Sequence, residues 1–394
     1  MSEDERSGTF DHLFTETVRA GIGEDGYGSW RSIDAPGAVS LSFGFPYPDS
    51  FPEEELVAAA EAVFEAEGEH ALQYGGGDYV DRLVDAIVEA ERRKGIDCGP
   101  ENVLLTNGAT HAIDVVCHTF LEPGDELFVE APTFMGSLKL FENYGVERTG
   151  FESDADGLRV EAVAAELEHR REAGEATPKL LYTIPTFQNP SGTTMSLERR
   201  ERLVELAATY DFVVIEDDVY GRLRFSGEDV PPLAALDGTG RVVRTNTFSK
   251  TVAPGVRSGW VLAGGANTFT QSVLGRYCTE GPFEENVAEL RAEYAARCDH
   301  MLDCLEEHMP AGTEWTEPDG GFFIWVTLPE AIDTEALLPR AAEEGVTYLP
   351  GELFFPDDRG HDSLRLSFSH VSPEEMDRGV AALARAARSA LADD

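Results

Sequence analysis

The sequence is poor in basic residues. It has 31 lysines and arginines against 74 aspartates and glutamates, which gives a formal net charge of −43 at pH 7. Such a charge repels nucleic acids and anionic membranes, so we expect neither as a partner. The excess of carboxylates accompanies an ordinary hydrophobic fraction of 42%. This combination predicts a halophilic protein, because concentrated salt screens the self-repulsion of the chain.

Other features are missing as well. Apolar runs, such as residues 212–215 and 259–263, are far shorter than the roughly 20 residues that a membrane-spanning helix needs. The N-terminal residues MSEDERSGTF lack the basic start and apolar stretch of a secretory signal, which predicts a cytoplasmic protein. Five cysteines are scattered without a C-x-x-C pair, and His111 and His118 lack further ligands at metal spacing. The sequence therefore predicts no metal site.

Strand-like and helix-like segments alternate in the middle of the chain. Six short β-rich runs predict a mostly parallel sheet covered by helices, at residues 102–106, 126–130, 179–184, 212–216, 241–248 and 257–263. After Pro282 a long helical pattern extends to His308, and two strand candidates at 321–328 and 363–368 precede a terminal helix from Pro373. This last part is typical of a smaller α+β unit.

Four polar clusters follow predicted strands, where ligands bind in open α/β sheets. Residues 106–110 (TNGAT) could hold a phosphate or form an ordinary turn, and residues 186–192 (TFQNPSG) could be a structural loop. Residues 216–220 (EDDVY) could cap a helix or pair with a protonated heterocyclic nitrogen. Residues 247–251 (TFSKT), with Arg257 shortly after them, favour a Schiff-base lysine beside a phosphate site.

The order of these motifs resembles the class I and II aminotransferases over nearly the whole chain. The motifs are Tyr74, Gly108-Ala109-Thr110, Phe134, Asn189-Pro190-x-Gly192, Asp217-x-x-Tyr220, Ser249-Lys250, Arg257 and Arg365. The phrases FVEAPTFMG, YTIPTFQNPSG and VVIEDDVY are most similar to the branch of 2-aminoadipate and multi-substrate aminotransferases, which also resembles the effector domains of MocR-type regulators.

The resemblance implies a fold and a domain division. The fold is that of the type I transferases that depend on pyridoxal 5′-phosphate (PLP). It has a three-layer α/β/α large domain with a mostly parallel sheet and a small α+β domain. The large domain is expected at residues 50–275, and the small domain is expected to combine residues 1–49 with residues 276–394.

The resemblance also implies PLP as the cofactor and gives residues their roles. Lys250 would bond covalently to the cofactor and then move the proton between the substrate α-carbon and the cofactor. Asp217 would keep the ring nitrogen protonated, so that the ring can accept electrons. Asn189 and Tyr220 would hydrogen-bond the phenolic oxygen, and Phe134 would stack on the ring.

The phosphate of the cofactor is expected at a helix N-terminus beside the lysine. The residues implied there are Gly108, Ala109, Thr110, Thr247, Ser249 and Arg257. Many relatives have a serine in place of Ala109, so one phosphate contact is expected to be missing. Tyr74 would reach the phosphate in the neighbouring subunit, which implies a homodimer with composite sites.

Substrate binding is implied at four positions. Arg365 would hold the α-carboxylate, helped by the backbone near Gly44 and by Asn189. Arg19 more loosely resembles an arginine that relatives use near the substrate side chain. These roles predict transfer of an amino group from an L-amino acid to a 2-oxo acid such as 2-oxoglutarate. Donors of the aminoadipate, aromatic and branched-chain types all remain open.

Two other functions share the motifs. A PLP-dependent β-lyase acting on cysteine conjugates would use the same scaffold and the same lysine. A ligand-sensing MocR-like module without its DNA-binding domain is disfavoured, because the first glycine-proline loop of the family begins as early as Gly44 and the charge of the chain opposes DNA.

Overall fold

The computed structural model describes residues 37–72, 77–262, 278–279, 281–329 and 331–393. Arg19 and Tyr74, both predicted site residues, lie outside these ranges. The described strands are β1 Val39–Ser40, β2 Val103–Thr106, β3 Glu126–Ala131, β4 Glu147–Asp154, β5 Gly157–Leu158, β6 Leu180–Thr183, β7 Val213–Asp217, β8 Val242–Thr247, β9 Gly259–Leu262, β10 Glu314–Trp315, β11 Phe323–Thr327, β12 Val346–Thr347, β13 Leu349–Pro350 and β14 Ser363–Ser367. The described α-helices are α1 Glu53–Glu67, α2 Asp78–Arg93, α3 Ala109–Phe120, α4 Met135–Glu142, α5 Val160–Ala173, α6 Leu197–Tyr210, α7 Leu233–Leu236, α8 Phe283–His308, α9 Thr334–Glu344 and α10 Pro373–Asp393.

Eight strands form the large sheet, in the order β2-β9-β8-β7-β6-β3-β4-β5. The neighbours from β8 to β4 run parallel, whereas β9 is antiparallel to β2 and β8, and β5 is antiparallel to β4. All six predicted strands are present, which confirms the mostly parallel sheet. The sequence analysis missed β4, because its residues ERTGFESD are mostly polar and only Phe151 is buried.

Helices cover both faces of this sheet. Leu127 and Leu180 pack with α3 and α4 in one apolar cluster, whereas the adjacent Phe128 and Leu181 pack with α5 and α6 in another. Successive side chains of a strand point to opposite faces, so strands buried on both sides need near-continuous apolar runs such as VLLT and LLYT. The result is the predicted α/β/α layering.

A second, mostly antiparallel sheet has the order β10-β11-β14-β13, and β1 pairs with β12 beside it. Its apolar core joins both ends of the described chain, since Leu41 and Leu383 belong to the same cluster. Helix α8 links the two parts: Val287 packs with α2, whereas Leu290 packs in the core of the second sheet. The domain boundaries at residues 50 and 275 stay a prediction. Among the described helices, none is both long and apolar enough to cross a bilayer.

Candidate active site

Lys250 lies in the turn that follows β8. Its Nζ donates a hydrogen bond to the Gly44 carbonyl oxygen at 3.2 Å and lies 5.8 Å from the centre of the Tyr220 ring. Burial, and then the charge of Arg365, lower the pKa of Lys250 from 10.5 to about 8, although Asp217 opposes this shift. An amine that is partly neutral near neutral pH is suited to act as a nucleophile and as a base.

Asp217 is the last residue of β7 and is 3% exposed. The Tyr182 hydroxyl donates to its Oδ2 at 2.7 Å, and Thr245 donates to its Oδ1 at 3.4 Å. Burial raises the pKa of Asp217 to about 6, against the two hydrogen bonds, which lower it. Ser137 in turn donates to the Tyr182 hydroxyl at 3.0 Å. The buried carboxylate is therefore positioned by hydrogen bonds from two hydroxyl groups, and such an acid is suited to pair with a buried cation.

Arg365 is a buried cation on β14, 3% exposed. Its Nη1 donates to Asn189 Oδ1 at 2.9 Å, its Nη2 donates to the Ser42 carbonyl oxygen, and its Nε has no hydrogen-bond partner among the described residues. Burial lowers the pKa of Arg365 to about 10. No described carboxylate forms an ion pair with it. Because an unpaired buried cation is costly, this position is suited to an anionic ligand.

Phe323 connects the arginine to the loop at Gly44. The guanidinium of Arg365 lies 4.0 Å from the centre of the Phe323 ring. A Cβ atom at position 44 would come within 2.2 Å of the same ring, so only glycine fits there. The Gly44 carbonyl can therefore approach Lys250. The sequence analysis did not find Phe323, because a phenylalanine in a strand is usually plain core.

A second anion cradle lies at the N-terminus of α3. Gly108 precedes this helix with a φ of +89°, and a Cβ atom there would lie 2.7 Å from Arg257 Nη2. The exposed guanidinium of Arg257 donates to the Asn107 carbonyl oxygen at 3.0 Å. Free backbone N–H groups of Ala109 and Thr110 and a cation beside them are the donor set that binds phosphate.

Thr247 and Ser249 form the turn that carries the lysine. The two hydroxyl oxygens are 2.9 Å apart, and Thr247 Oγ1 accepts from the Ser249 backbone N–H at 3.1 Å and donates to the Ser258 carbonyl oxygen at 2.8 Å. Both side chains are buried. Thr247 thus stabilises the turn before Lys250, and its predicted contact with phosphate stays a prediction.

A family model for aminotransferase class I and II matches residues 39–273 and 264–383. The chain belongs to this family. It is 38% identical over 371 residues to an aromatic-amino-acid aminotransferase from Thermococcus litoralis, covering 90% of this chain and 89% of the relative. It is 33% identical over 376 residues to a 2-aminoadipate transaminase from Thermus thermophilus, covering 91% and 92%. The crystal structure of a multiple substrate aminotransferase from Thermococcus profundus superposes with a TM-score of 0.91, at 36% identity, over 98% of this chain and all of that one.

These likenesses confirm the predicted branch, the type I fold and PLP as the cofactor of this aminotransferase. The residues present fit that cofactor. A Cβ atom at position 108 would crowd the Arg257 guanidinium, so the glycine keeps the space beside this cation clear, and Asp217 is a buried acid with no cation among the described residues hydrogen-bonded to it. The described chain thus offers an anion cradle, an amine and a carboxylate, and the charges of Asp217 and Arg257 both act on Lys250.

Phe134 immediately precedes α4 and is partly buried. A Cβ atom at position 136 would lie 2.5 Å from the Phe134 ring, so the ring can occupy this position because residue 136 is a glycine. Besides Phe323, the sequence analysis missed Tyr182 and Ser137, which support the carboxylate of Asp217. The tyrosine in the buried strand LLYT was a signal, because a buried tyrosine hydroxyl usually has a hydrogen-bond partner.

Proposed function

We propose that this aminotransferase moves the amino group of an aromatic L-amino acid to a 2-oxo acid such as 2-oxoglutarate. The observation that carries the proposal is the buried Arg365 guanidinium, which forms no ion pair with a described carboxylate and lies in the electrostatic neighbourhood of a lysine whose pKa is lowered to about 8. A substrate with an α-carboxylate and an α-amino group fits these two groups. The carboxylate would bind the arginine and bring the α-carbon to the lysine.

Bound PLP supplies a carbonyl that takes up the amino group and a ring that accepts electrons. In our proposal Asp217 keeps the ring nitrogen protonated, and Tyr182 orients that carboxylate. Asn189 and Tyr220, which hydrogen-bond each other, hold the phenolic oxygen. Phe134 covers the ring. The phosphate is held by Gly108, Ala109, Thr110, Thr247, Ser249 and Arg257.

Lys250 is the proposed base. Its neutral amine would take the proton from the substrate α-carbon and would later deliver a proton to the cofactor. The hydrogen bond from Lys250 Nζ to the Gly44 carbonyl oxygen, at 3.2 Å, positions the amine without bringing a charged partner to it. Burial and Arg365 lower the pKa of Lys250 to about 8, so about a tenth of the amine is unprotonated at pH 7, and the proposed step uses this neutral form.

Aromatic rings at the site support the choice of donor. Phe43 and Phe45 flank Gly44, their ring centroids are 5.4 Å apart, and Phe45 is 53% exposed. An exposed stacked ring beside the lysine offers apolar contact to an aromatic side chain. The relative that is 38% identical is named for aromatic amino acids. A 2-aminoadipate donor would need a further cation, for which Arg19 stays the predicted candidate.

The test is a half-reaction in concentrated KCl. Single amino acids are added to the holoenzyme without any oxo acid, and the visible band of the cofactor is followed. We expect aromatic donors to bleach the band at lower concentrations than 2-aminoadipate does. Phe45→Ala should reduce this difference in concentration. Phe120→Ala, which changes an exposed phenylalanine on α3, is the control and should reduce it less. Pyruvate and ammonia released from a cysteine conjugate would instead establish the β-lyase. An unaltered spectrum in Lys250→Ala would overturn the proposal.

We also propose a cytoplasmic homodimer with composite sites. Val57 and Phe64 lie two turns apart on α1 and are 60% and 44% exposed, and Leu72 is 67% exposed. An exposed apolar stripe just before Tyr74 supports a subunit contact there. Mixed dimers of Lys250→Ala and Tyr74→Phe subunits should recover one complete site. Additive activities of the two variants would contradict this arrangement.

A further inference from the structure

Helices α8 and α10 pack against each other and bring three metal-ligating side chains together. His300 and Cys304 are one turn apart on α8, and Asp377 comes from α10. His300 Nε2 and Cys304 Sγ each lie 3.1 Å from Asp377 Oδ1, and all three ligand atoms lie within 4.8 Å of one another. None of these residues belongs to the site around Lys250.

We propose that the His300–Cys304–Asp377 cluster binds Zn²⁺. Imidazole nitrogen, thiolate sulfur and carboxylate oxygen are the three donor types that zinc takes in proteins, whereas Mg²⁺ and Ca²⁺ prefer oxygen alone. Positions i and i+4 of a helix share one face, so His300 and Cys304 can reach the same ion. Three protein ligands leave a fourth position for water.

The distances fit with small adjustments. Zinc bonds of about 2.0–2.3 Å in a tetrahedron place ligand atoms about 3.4–3.6 Å apart. The two 3.1 Å separations here are shorter by only a few tenths of an ångström. The sulfur lies inside, because Cys304 is buried, whereas the His300 and Asp377 side chains are 33% and 54% exposed. An ion can therefore enter from the solvent side.

Hydrogen bonds hold the three side chains together when no metal is bound. The Cys304 thiol donates to Asp377, and His300 Nε2 also lies 3.2 Å from the Pro373 carbonyl oxygen. When zinc binds, the S–H bond breaks, a Zn–S bond forms and the thiol proton leaves to solvent. His300 Nε2, which faces the Asp377 carboxylate and the Pro373 carbonyl oxygen, carries a proton in the metal-free cluster. Zinc binding releases this proton to solvent as well, and Nδ1 then carries the imidazole proton, so that Nε2 is the ligand. The ion would tie the terminal helix to α8.

The probe is Co²⁺, which reports tetrahedral sulfur-containing sites by its visible absorption. The holoenzyme is stripped with a chelator and titrated with Co²⁺, and the spectrum of the same protein in Zn²⁺ is subtracted from each Co²⁺ spectrum to remove the cofactor band. We expect one equivalent per chain, displacement by Zn²⁺, loss of the signal in Cys304→Ser and at least tenfold weaker binding in His300→Ala. Zn²⁺, unlike Mg²⁺, should raise the melting temperature.

Matched controls separate this site from others. Cys298→Ser changes a buried cysteine on the same helix that contacts the Pro318 carbonyl oxygen, and it should keep the signal. His361→Asn changes the exposed histidine of the Asp333–Glu352–His361 group, and it should keep the signal too. Absence of a one-to-one Co²⁺ complex would overturn the proposal, as would equal binding by His300→Ala and the wild type. His300 is at the surface, so its variant should fold normally.

Discussion

Replacing Tyr182 with phenylalanine tests how the site sets the charge of Asp217. The hydroxyl donates to the buried carboxylate at 2.7 Å. Hydrogen bonds to charged groups contribute about 1.5–3 kcal/mol, and one pH unit of pKa corresponds to about 1.4 kcal/mol. Losing this bond should therefore raise the pKa of Asp217, which is about 6 in the cofactor-free protein, by about one to two pH units.

This change should weaken cofactor binding in a pH-dependent way. In the proposed site the ring nitrogen pairs with an ionised Asp217, so the variant must first release a proton that the wild type has already lost. At pH 8.5 both proteins are mostly ionised, so their affinities should be similar. The variant should bind about two- to tenfold more weakly at pH 7 and about five- to fiftyfold more weakly at pH 6.

The assay is a binding titration with pyridoxamine phosphate, which cannot bond covalently to Lys250. The ratio of the two dissociation constants cancels the titration of the ligand and of the lysine. Tyr210→Phe is the control, since that hydroxyl donates to Glu168 at 2.8 Å, away from the site. Ser137→Ala should shift binding in the same direction but less. A ratio that does not change between pH 6 and 8.5 would refute the reasoning.

Three other results are expected. Burial raises the pKa of Asp217 from 3.8 to about 6, so keeping this carboxylate ionised above pH 6 costs the folded apoprotein about 3 kcal/mol. Asp217→Asn removes this cost and should raise the urea midpoint of unfolding at pH 7. The difference between variant and wild type should disappear below pH 4, where Asp217 is protonated in both the folded and the unfolded chain. Arg365→Met should weaken donor binding by at least about 30-fold in the half-reaction, since losing one partner of a buried charge pair costs about 2 kcal/mol or more. It should also move the pH midpoint of PLP uptake above 8, because Arg365 adds to burial in lowering the pKa of Lys250. The net charge of −43 predicts a higher melting temperature in molar KCl than in dilute buffer, and an unchanged one would contradict the halophilic assignment.

Local patterns in the sequence determined much of this protein. Short apolar runs predicted six of the eight strands of the large sheet to within two residues, because strands buried on both faces must be continuously apolar. The order of motifs around Lys250, Asp217 and Arg365 predicted the family and the cofactor. The polar strand Glu147–Asp154 was not predicted, since it lies near the edge of the sheet and few of its side chains are buried.

The tertiary structure alone decided which distant residues meet. Arg365 reaches Asn189 across 176 positions of the chain, and Tyr182 reaches Asp217 across 35. Cys304 meets Asp377, 73 residues later, although the spacing of cysteines and histidines predicted no metal site. Such contacts depend on how whole helices and strands pack. The sequence around each residue carries the chemistry of its side chain, whereas the burial and the partner that set its pKa come from elements far away in the chain.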